Sequence, residues 1–485
     1  MTQVGTSQSK DTVDILVIGG GPGGTPAAMA LAQAGRRVLL VEAGVGLGGT
    51  CLFSGCIPSK IFRETAYRRS QIARGGDFGL EVPLGWTGAV DWTAVQTRRH
   101  KILSGRSAGA LTNAGKLRGL EVAFGHAQIT GARSAIIQCS GQPQRAVTFE
   151  RAIIATGSVP NRLPILGGDL PSVLDSEGLI DIEAVPSTLV LIGGGPIGVE
   201  MAQIFAMLGS DVTLLEAGHR ILGQVDAPLA ALLTEHLKAT GVTVQTDVQI
   251  EQIKVDDSEH HVSFSHKGET RSIAAQVVAI VAGRHPNVDG LGLETTAVKH
   301  GLHGIKVNEQ LETDEPGLFA IGDVAGNPMF AHWATAQALA VARYIIGLPT
   351  TFPKPEYNSA VIFSSPEIGM VGLTEEVANA AGLEVAVAEY DYKIDARAQI
   401  SGENLGRLRI IYRRSDHRIV GVHALIEGAA DLVGEAALAV RNGLTLEQLA
   451  SSIHPHPTLT EAFGIIARGA IASSLRGMPP SGGPA

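Results

Sequence analysis

Two cysteines lie five positions apart in the run Gly48-Gly49-Thr50-Cys51-Leu52-Phe53-Ser54-Gly55-Cys56-Ile57-Pro58-Ser59-Lys60. A chain that curls through one turn can bridge cysteines at this spacing, and Gly55 eases the curl. The alternative is two unpaired core cysteines, since free cysteine packs as a small apolar residue. The spacing is wrong for zinc, with no CxxC and no second pair. Cys139, the remaining cysteine, falls alone in a predicted strand and reads as structural. A second group with chemical potential is Ile453-His454-Pro455-His456-Pro457-Thr458-Leu459-Thr460-Glu461. Pro457 predicts an extended His456 at a helix start, with Glu461 near enough to orient the imidazole and raise its basicity. Thiol exchange moves protons because the thiolate is the reactive form, so His456 is the candidate proton carrier.

A third group is a repeat. Residues 15–24 read ILVIGGGPGG and residues 189–198 read LVLIGGGPIG. A shift of 174 residues superposes Gly19 on Gly193, Gly21 on Gly195, Gly24 on Gly198 and Glu42 on Glu216. Each copy predicts a buried parallel strand, a turn that only glycine permits, and a helix whose N-terminus faces phosphates. The middle glycine admits a pyrophosphate and the third admits the helix. The acid 18 residues after the third glycine ends the second strand, where it accepts from ribose hydroxyls. The chain therefore binds two dinucleotides, or one dinucleotide twice. A dithiol beside a dinucleotide points to electron exchange between a disulfide and a flavin or nicotinamide.

The elements that position these groups follow from composition and pattern. The 485 residues correspond to about three domains. With 60 glycines and no collagen period, glycine serves turns and close approaches. Three cysteines exclude a disulfide-stapled secreted fold. A net charge of −9 gives no basic footprint for nucleic acid or an anionic membrane. The stretch Met1–Asp14 lacks the pattern of a secretory or transit leader, so a cytoplasmic location is expected. Two uncharged stretches, Ile15–Gly35 and Val324–Ala342, carry Gly and Pro in soluble strand–loop–helix patterns rather than membrane spans. Residues 119–156 read as a β-meander, and further strands run to Gly283. A helix is predicted from about Ala331 to Ile346. After a linker at Phe352-Pro353, strands mix with helices near 428–442 and 458–470, and the tail Gly477–Ala485 reads as disordered.

In this order the motifs resemble those of the class I pyridine nucleotide–disulfide oxidoreductases. The resemblance runs from about Val13 to Arg476. Its landmarks are GGGPGG, GGTC with CIPSK, ATG at Ala155–Gly157, GGGPIGVE, GRHPN at Gly283–Asn287, FAIGDV at Phe319–Val324 and HPTLTE. The resemblance implies an α/β fold with two Rossmann-like dinucleotide-binding domains, for FAD and NAD, and a C-terminal α+β dimerisation domain. The expected divisions are 1–157 (FAD domain with the redox disulfide), 158–283 (NAD domain), 284–351 (return to the FAD and central region) and 352–485 (dimerisation).

Roles also follow from the resemblance. Gly19, Gly21, Gly24 and Glu42 would hold FAD, and Gly193, Gly195, Gly198 and Glu216 the nicotinamide dinucleotide. Asp323 would meet the flavin ribityl or phosphate region. Gly49, Thr50, Lys60, Thr156, Gly157, Gly283, Arg284 and Gly322 complete the cofactor-binding set. Cys56 would contact the flavin and Cys51 would exchange with substrate sulfur. Lys60 and Glu200 match the ion pair beside the flavin's reactive nitrogen. His456 with Glu461 matches the acid–base pair supplied across a homodimer interface. No metal is implied.

Glu216 favours NAD over NADP, although His219 and Arg220 follow it. Met29 stands where glutathione reductases carry an arginine, and the tail lacks the cysteine pair of mercuric reductases. The branch most resembled is the dihydrolipoamide dehydrogenases, which oxidise a dihydrolipoyl group on a carrier protein. The alternative is an NAD(P)H-dependent reductase of another disulfide, like glutathione, mycothione or mercuric reductases. Two stretches depart from the branch: Leu52-Phe53-Ser54-Gly55, and Ala331 to Gln337, which lacks the usual Lys and acids.

Overall fold

The structure, a computed structural model, describes residues 11–476 apart from 84, 85, 87, 257, 258 and 327. Residues 1–10 and the tail predicted to be disordered lie outside the described residues.

The first glycine unit is β1 (Asp11–Ile18), α1 (Gly24–Gln33) and β2 (Val38–Glu42). The chain then forms α2 (Gly49–Phe53), α3 (Cys56–Ala73) and α4 (Trp92–Gly115) before the predicted meander. That meander is β3 (Leu120–Gly131), β4 (Ser134–Cys139) and β5 (Arg145–Ile154). β1 lies between β2 and β5, parallel to both. β3 joins β2 in parallel, and strand Leu318–Ala320 joins β5 in parallel. β4 runs antiparallel to β3 and β5.

The apolar runs of β1 and β2 have almost no polar residues because this sheet is covered on both faces. Alternate residues serve opposite faces. Ile15, Val17, Val38 and Leu40 pack with α1, whereas Leu16, Ile18, Leu39 and Val41 pack toward the meander. Cys139 packs, partly buried, at the edge of that second face.

The second unit repeats the logic. Strand Thr188–Ile192, α5 (Pro196–Leu208) and strand Asp211–Leu215 precede α6 (Ala227–Ala239). Strands 277–280, 188–192, 211–215 and 242–245 form a parallel sheet in that order. An antiparallel sheet of 248–256, 259–266 and 269–275 covers one of its faces. The chain returns to the first sheet at 318–320 and continues into α7 (Ala331–Ile345).

The C-terminal region is a five-stranded antiparallel sheet, in spatial order 359–362, 368–372, 419–425, 407–413 and 385–391. Its helices are α8 (Glu375–Ala380), α9 (Ala396–Ser401), α10 (Ala429–Arg441), α11 (Leu446–Ser451) and α12 (Glu461–Leu475). One expectation changes here. α12 begins at Glu461, so Pro457 lies in the preceding loop and not at the helix start. Among the described residues no helix is long and apolar enough to cross a membrane.

Candidate active site

The repeat brings the same local geometry twice. A Cβ on Gly19 would stand 2.3 Å from the Ala155 carbonyl oxygen, and one on Gly193 2.9 Å from that of Val281. A Cβ on Gly24 would meet the Gly19 oxygen at 1.8 Å, and one on Gly198 the Gly193 oxygen at 1.9 Å. The first and third glycines are therefore demanded by the protein's own packing. The middle ones are not. A Cβ on Gly21 would come no closer than 3.8 Å to Gly49, and one on Gly195 would meet nothing within 4 Å.

The two acids also match. Glu42 accepts from the backbone N–H of Gly20 and of Gly44, each at 2.5 Å. Glu216 accepts from Gly194 at 2.5 Å and Gly218 at 2.6 Å. Each carboxylate is thus fixed at the mouth of its glycine turn, with lone pairs left for further donors.

Both turns open into one cavity of about 2030 Å³. Gly19, Gly21, Glu42, Gly49, Thr50, Thr156, Gly157, Gly195, Glu216, Gly283, Arg284, Gly322 and Asp323 all line it. Gly24, Gly193 and Gly198 do not; they shape the turns from behind. A space that two glycine turns enter, each through a glycine that packing does not require, fits two dinucleotides.

The dithiol stands in the same wall. Cys51 lies in α2 and Cys56 is the first residue of α3, with Ser54 and Gly55 between. Gly55 has a negative φ, so its use is room rather than left-handed backbone: a Cβ there would lie 3.1 Å from the Thr50 oxygen. Both cysteines are free thiols. The neighbouring Cys51 holds the Cys56 thiol down to about 7, aided by Lys60, while Cys56 and burial push the Cys51 thiol upward. The start of an 18-residue helix favours a thiolate at Cys56 in the same direction. The pair therefore has one sulfur ionised near neutrality and one kept as thiol.

Lys60, one turn along α3, donates to Glu200 Oε2 of α5 at 2.8 Å. The other Glu200 oxygen accepts from Phe363 N–H at 2.9 Å, and the ammonium lies 4.5 Å from the Phe363 ring centroid. α3 and α5 pack through Phe62, Ala66, Val199, Ala202 and Phe205, which sets the reach of this ion pair. The loop Phe363–Pro366 comes from the C-terminal region and is clamped from both helices. Arg63 donates to the Phe363 and Ser364 carbonyls, and Gln203 exchanges hydrogen bonds with Ser365. Nothing local in the sequence marks Phe363 or Gln203, because their partners lie 160 or more residues away.

Asp323 is half-buried and accepts from Ser158 Oγ at 2.6 Å. Burial raises its carboxyl above the usual range, opposed by Ser158 and Arg284. The Arg284 guanidinium donates to Ser158 and pairs with Glu177 at 3.0 Å. Thr156 Oγ1 donates to the Asn287 carbonyl at 2.6 Å. Gln337, one of the departures in α7, accepts from Gly322 N–H at 2.7 Å and so steadies the turn that presents Asp323.

His456 and Glu461 do not meet the dithiol within this chain, and neither lines the cavity. They do meet each other: His456 Nδ1 lies 3.0 and 3.1 Å from the two carboxylate oxygens. Glu461 also accepts from Thr458 N–H at 2.9 Å, and these contacts hold its carboxyl below the usual range. The imidazole is 73% exposed, so its Nε2 faces outward from the subunit. This is the arrangement expected of a group used by a second copy.

Comparison with known proteins agrees with this geometry. Residues 13–338 match the family model described as pyridine nucleotide-disulphide oxidoreductase, and residues 358–466 match that family's dimerisation domain. The chain is 35% identical to a dihydrolipoyl dehydrogenase of Geobacillus stearothermophilus over 92% of its length and 94% of the relative's. It is 36% identical to one of Thermus scotoductus, over 93% and 96%. Among solved structures, the HOCl-induced flavoprotein disulfide reductase RclA of Escherichia coli, as a Cu(II) complex, superposes with a TM-score of 0.85 at 25% identity, over 94% of this chain and 99% of the other. LpdA of Mycobacterium tuberculosis shares the fold, with a TM-score of 0.86 at 24% identity, over 94% and 99%. Two glycine turns on one cavity, a dithiol in its wall and full-length relatives with the same plan lead to one conclusion: the chain belongs to the pyridine nucleotide–disulphide oxidoreductase family.

Proposed function

We propose that this protein is an NAD-linked dihydrolipoyl dehydrogenase, acting in the cytoplasm as a homodimer on a lipoyl group borne by a carrier protein. As a member of its family it is a flavoprotein disulfide oxidoreductase using FAD and NAD. The observation that carries the reading is the dithiol in the wall of a cavity shared by both nucleotide turns.

In this reading residues 1–157 and 284–351 form the FAD unit, 158–283 the NAD unit and 352–485 the subunit contact. Gly19, Gly21, Gly24, Glu42 and Asp323 hold FAD, and Gly193, Gly195, Gly198 and Glu216 hold NAD. FAD supplies a two-electron relay between sulfur and nicotinamide. The chain's residues handle the sulfur chemistry and its protons. One thiolate of the substrate attacks Cys51 Sγ, the Cys51–Cys56 bond breaks, and Cys56 leaves as thiolate. The second substrate sulfur then displaces Cys51, closing the lipoyl disulfide and leaving Cys51 as thiol and Cys56 as thiolate. His456 of the other subunit, oriented by Glu461 through Nδ1, takes one proton of the substrate dithiol and relays the other to Cys51 as that sulfur leaves. Lys60, held by Glu200, keeps a positive charge beside the Cys56 thiolate.

Steady-state assays with dihydrolipoamide and NAD⁺, beside glutathione disulfide and NADPH, test the assignment. Turnover confined to the second pair of substrates would replace it with the reductase alternative. His456→Ala is expected to lower dihydrolipoamide turnover by about 10²- to 10⁴-fold. Mixing inactive His456→Ala and Cys56→Ser subunits should restore activity through heterodimers. Mixtures that form heterodimers yet stay inactive would refute a site shared between subunits.

A further inference from the structure

The basic residues after Glu216 have no part in the chemistry above. Both His219 and Arg220 line the cavity beside Glu216. Yet Arg220 does not stand free. Its Nη1 donates to Glu376 Oε1 at 3.1 Å, and its Nη2 donates to Glu376 Oε2 at 2.9 Å and to the Gly223 carbonyl at 2.9 Å. Glu376 belongs to the first turn of α8, in the C-terminal region, and also lines the cavity. Its carboxyl is held below the usual range by Arg220, so the pair stays ionised at neutral pH.

The neighbouring Glu375 makes a second tie. It accepts from Arg409 Nη2 at 2.8 Å, while Arg409 Nη1 donates to Asp226 at 2.7 and 2.8 Å. Arg409 and Asp226 are both buried. The loop from Gly218 to Asp226 is thus fastened to α8 near both of its ends. The inner tie is a buried ion pair whose loss would unsettle the fold. The outer tie, Arg220–Glu376, faces the cavity and solvent, where its loss costs stability little.

A guanidinium four residues beyond the ribose-binding acid is the group that would fork onto a 2′-phosphate. Here the fork is already filled by a carboxylate from another region of the chain. We propose that Glu376 is a specificity-determining residue: it acts as an internal anion that occupies Arg220 and keeps the site selective for the dinucleotide without a 2′-phosphate. It does so in two ways, by satisfying the arginine and by adding a second carboxylate, with Glu216, to the wall a phosphate would face. This rests on the reading that the second glycine turn holds the nicotinamide dinucleotide.

The test uses the flavin-loaded dimer as wild type, Glu376→Ala, Glu376→Gln, and the double variant Glu376→Ala with Arg220→Ala. For each, kcat/KM is measured with NADH and NADPH, and the affinities for ADP and 2′,5′-ADP by calorimetry. Because both coenzymes meet the same folded molecules, their ratio is insensitive to partial misfolding. Glu376→Ala is expected to raise the NADPH-to-NADH ratio about three- to tenfold and to tighten 2′,5′-ADP relative to ADP by a similar factor. Glu376→Gln should show a smaller rise, and the double variant should lose the gain. A ratio and a 2′,5′-ADP affinity within twofold of wild type in Glu376→Ala would overturn the proposal. So would a gain that persists fully without Arg220. A wild type that binds ADP and uses NADH keeps the coenzyme reading intact whichever way the variants fall; a wild type that binds neither nucleotide removes that reading and this proposal together.

Discussion

The two glycine turns are near copies in sequence and in hydrogen bonding, and they differ in what the chain does next. After β2 the first unit runs straight into the Gly48–Gly49 turn and the dithiol helices. A Cβ on Gly49 would lie only 2.8 Å from Gly21 Cα, so the redox segment lies directly against the nucleotide turn. After Leu215 the second unit makes a loop that α8 ties down from outside, and Gly195 faces open space. Glu42 is buried, whereas Glu216 is half-buried. In the proposed reading, one motif thus serves a nucleotide enclosed by the chain's own dithiol helix, and again one approached through an open mouth. The phosphate cradle is portable, and the role is set by its neighbours.

The most severe way to challenge this contrast is to remove what only the first unit carries. Cys56→Ser should lower dihydrolipoamide–NAD⁺ turnover by about 10³-fold or more. Flavin content, read from visible absorbance, should stay near wild type. Turnover within tenfold of wild type would mean that the dithiol is not what distinguishes the two units.

A middle-sized effect separates packing glycines from ligand glycines. Gly24→Ala and Gly198→Ala drive a methyl into a carbonyl oxygen, and each should cost about 1–3 kcal/mol by denaturant titration. Gly195→Ala should leave stability unchanged and raise the KM for NADH. Gly21→Ala, already near Gly49, should fall between. Equal stability losses at all four positions would erase the distinction.

The smallest effect is a shift in a titration. In the reduced enzyme the Cys56 thiol sits at about 7, below the usual thiol value of about 8.5. Below pH 7 it is protonated and slow to alkylate; above pH 7 it is thiolate and fast. Iodoacetamide labelling followed by mass spectrometry should therefore show a midpoint near 7 for Cys56, with Cys51 lagging. A midpoint above 8 would refute the assigned asymmetry between the two sulfurs.

Much of the site was legible because its signals are local. Gly19 and Gly24 are dictated by contacts within one strand–turn–helix and the strand beside it. Glu42 bonds to an amide two residues away and to one at the turn its own strand flanks. The His456–Glu461 pair was legible from its own short spacing and the Lys60–Glu200 pair only through the family resemblance; both are in hydrogen-bond contact. Pro457 differs from its expected place at the helix start, since proline before a helix is also compatible with a loop that reaches an N-cap three residues later. The roles of Phe363, Gln203 and Glu376 were not legible at all. Each acts on a residue more than 150 positions distant, through a backbone amide or an ordinary ion pair that leaves no spacing to read.

The amino-acid sequence by itself determined the two glycine turns, the acids that close them and the dithiol beside the first, because each leaves its signal within one strand–turn–helix–strand unit or a single short loop. Only the tertiary structure decided that both turns open onto one cavity. It also decided that the C-terminal region places Phe363 on the Lys60–Glu200 pair, and that α8 occupies Arg220. These depend on how separate sheets and helices bury their apolar faces against one another, and burial is not directional enough to be read from spacing along a chain.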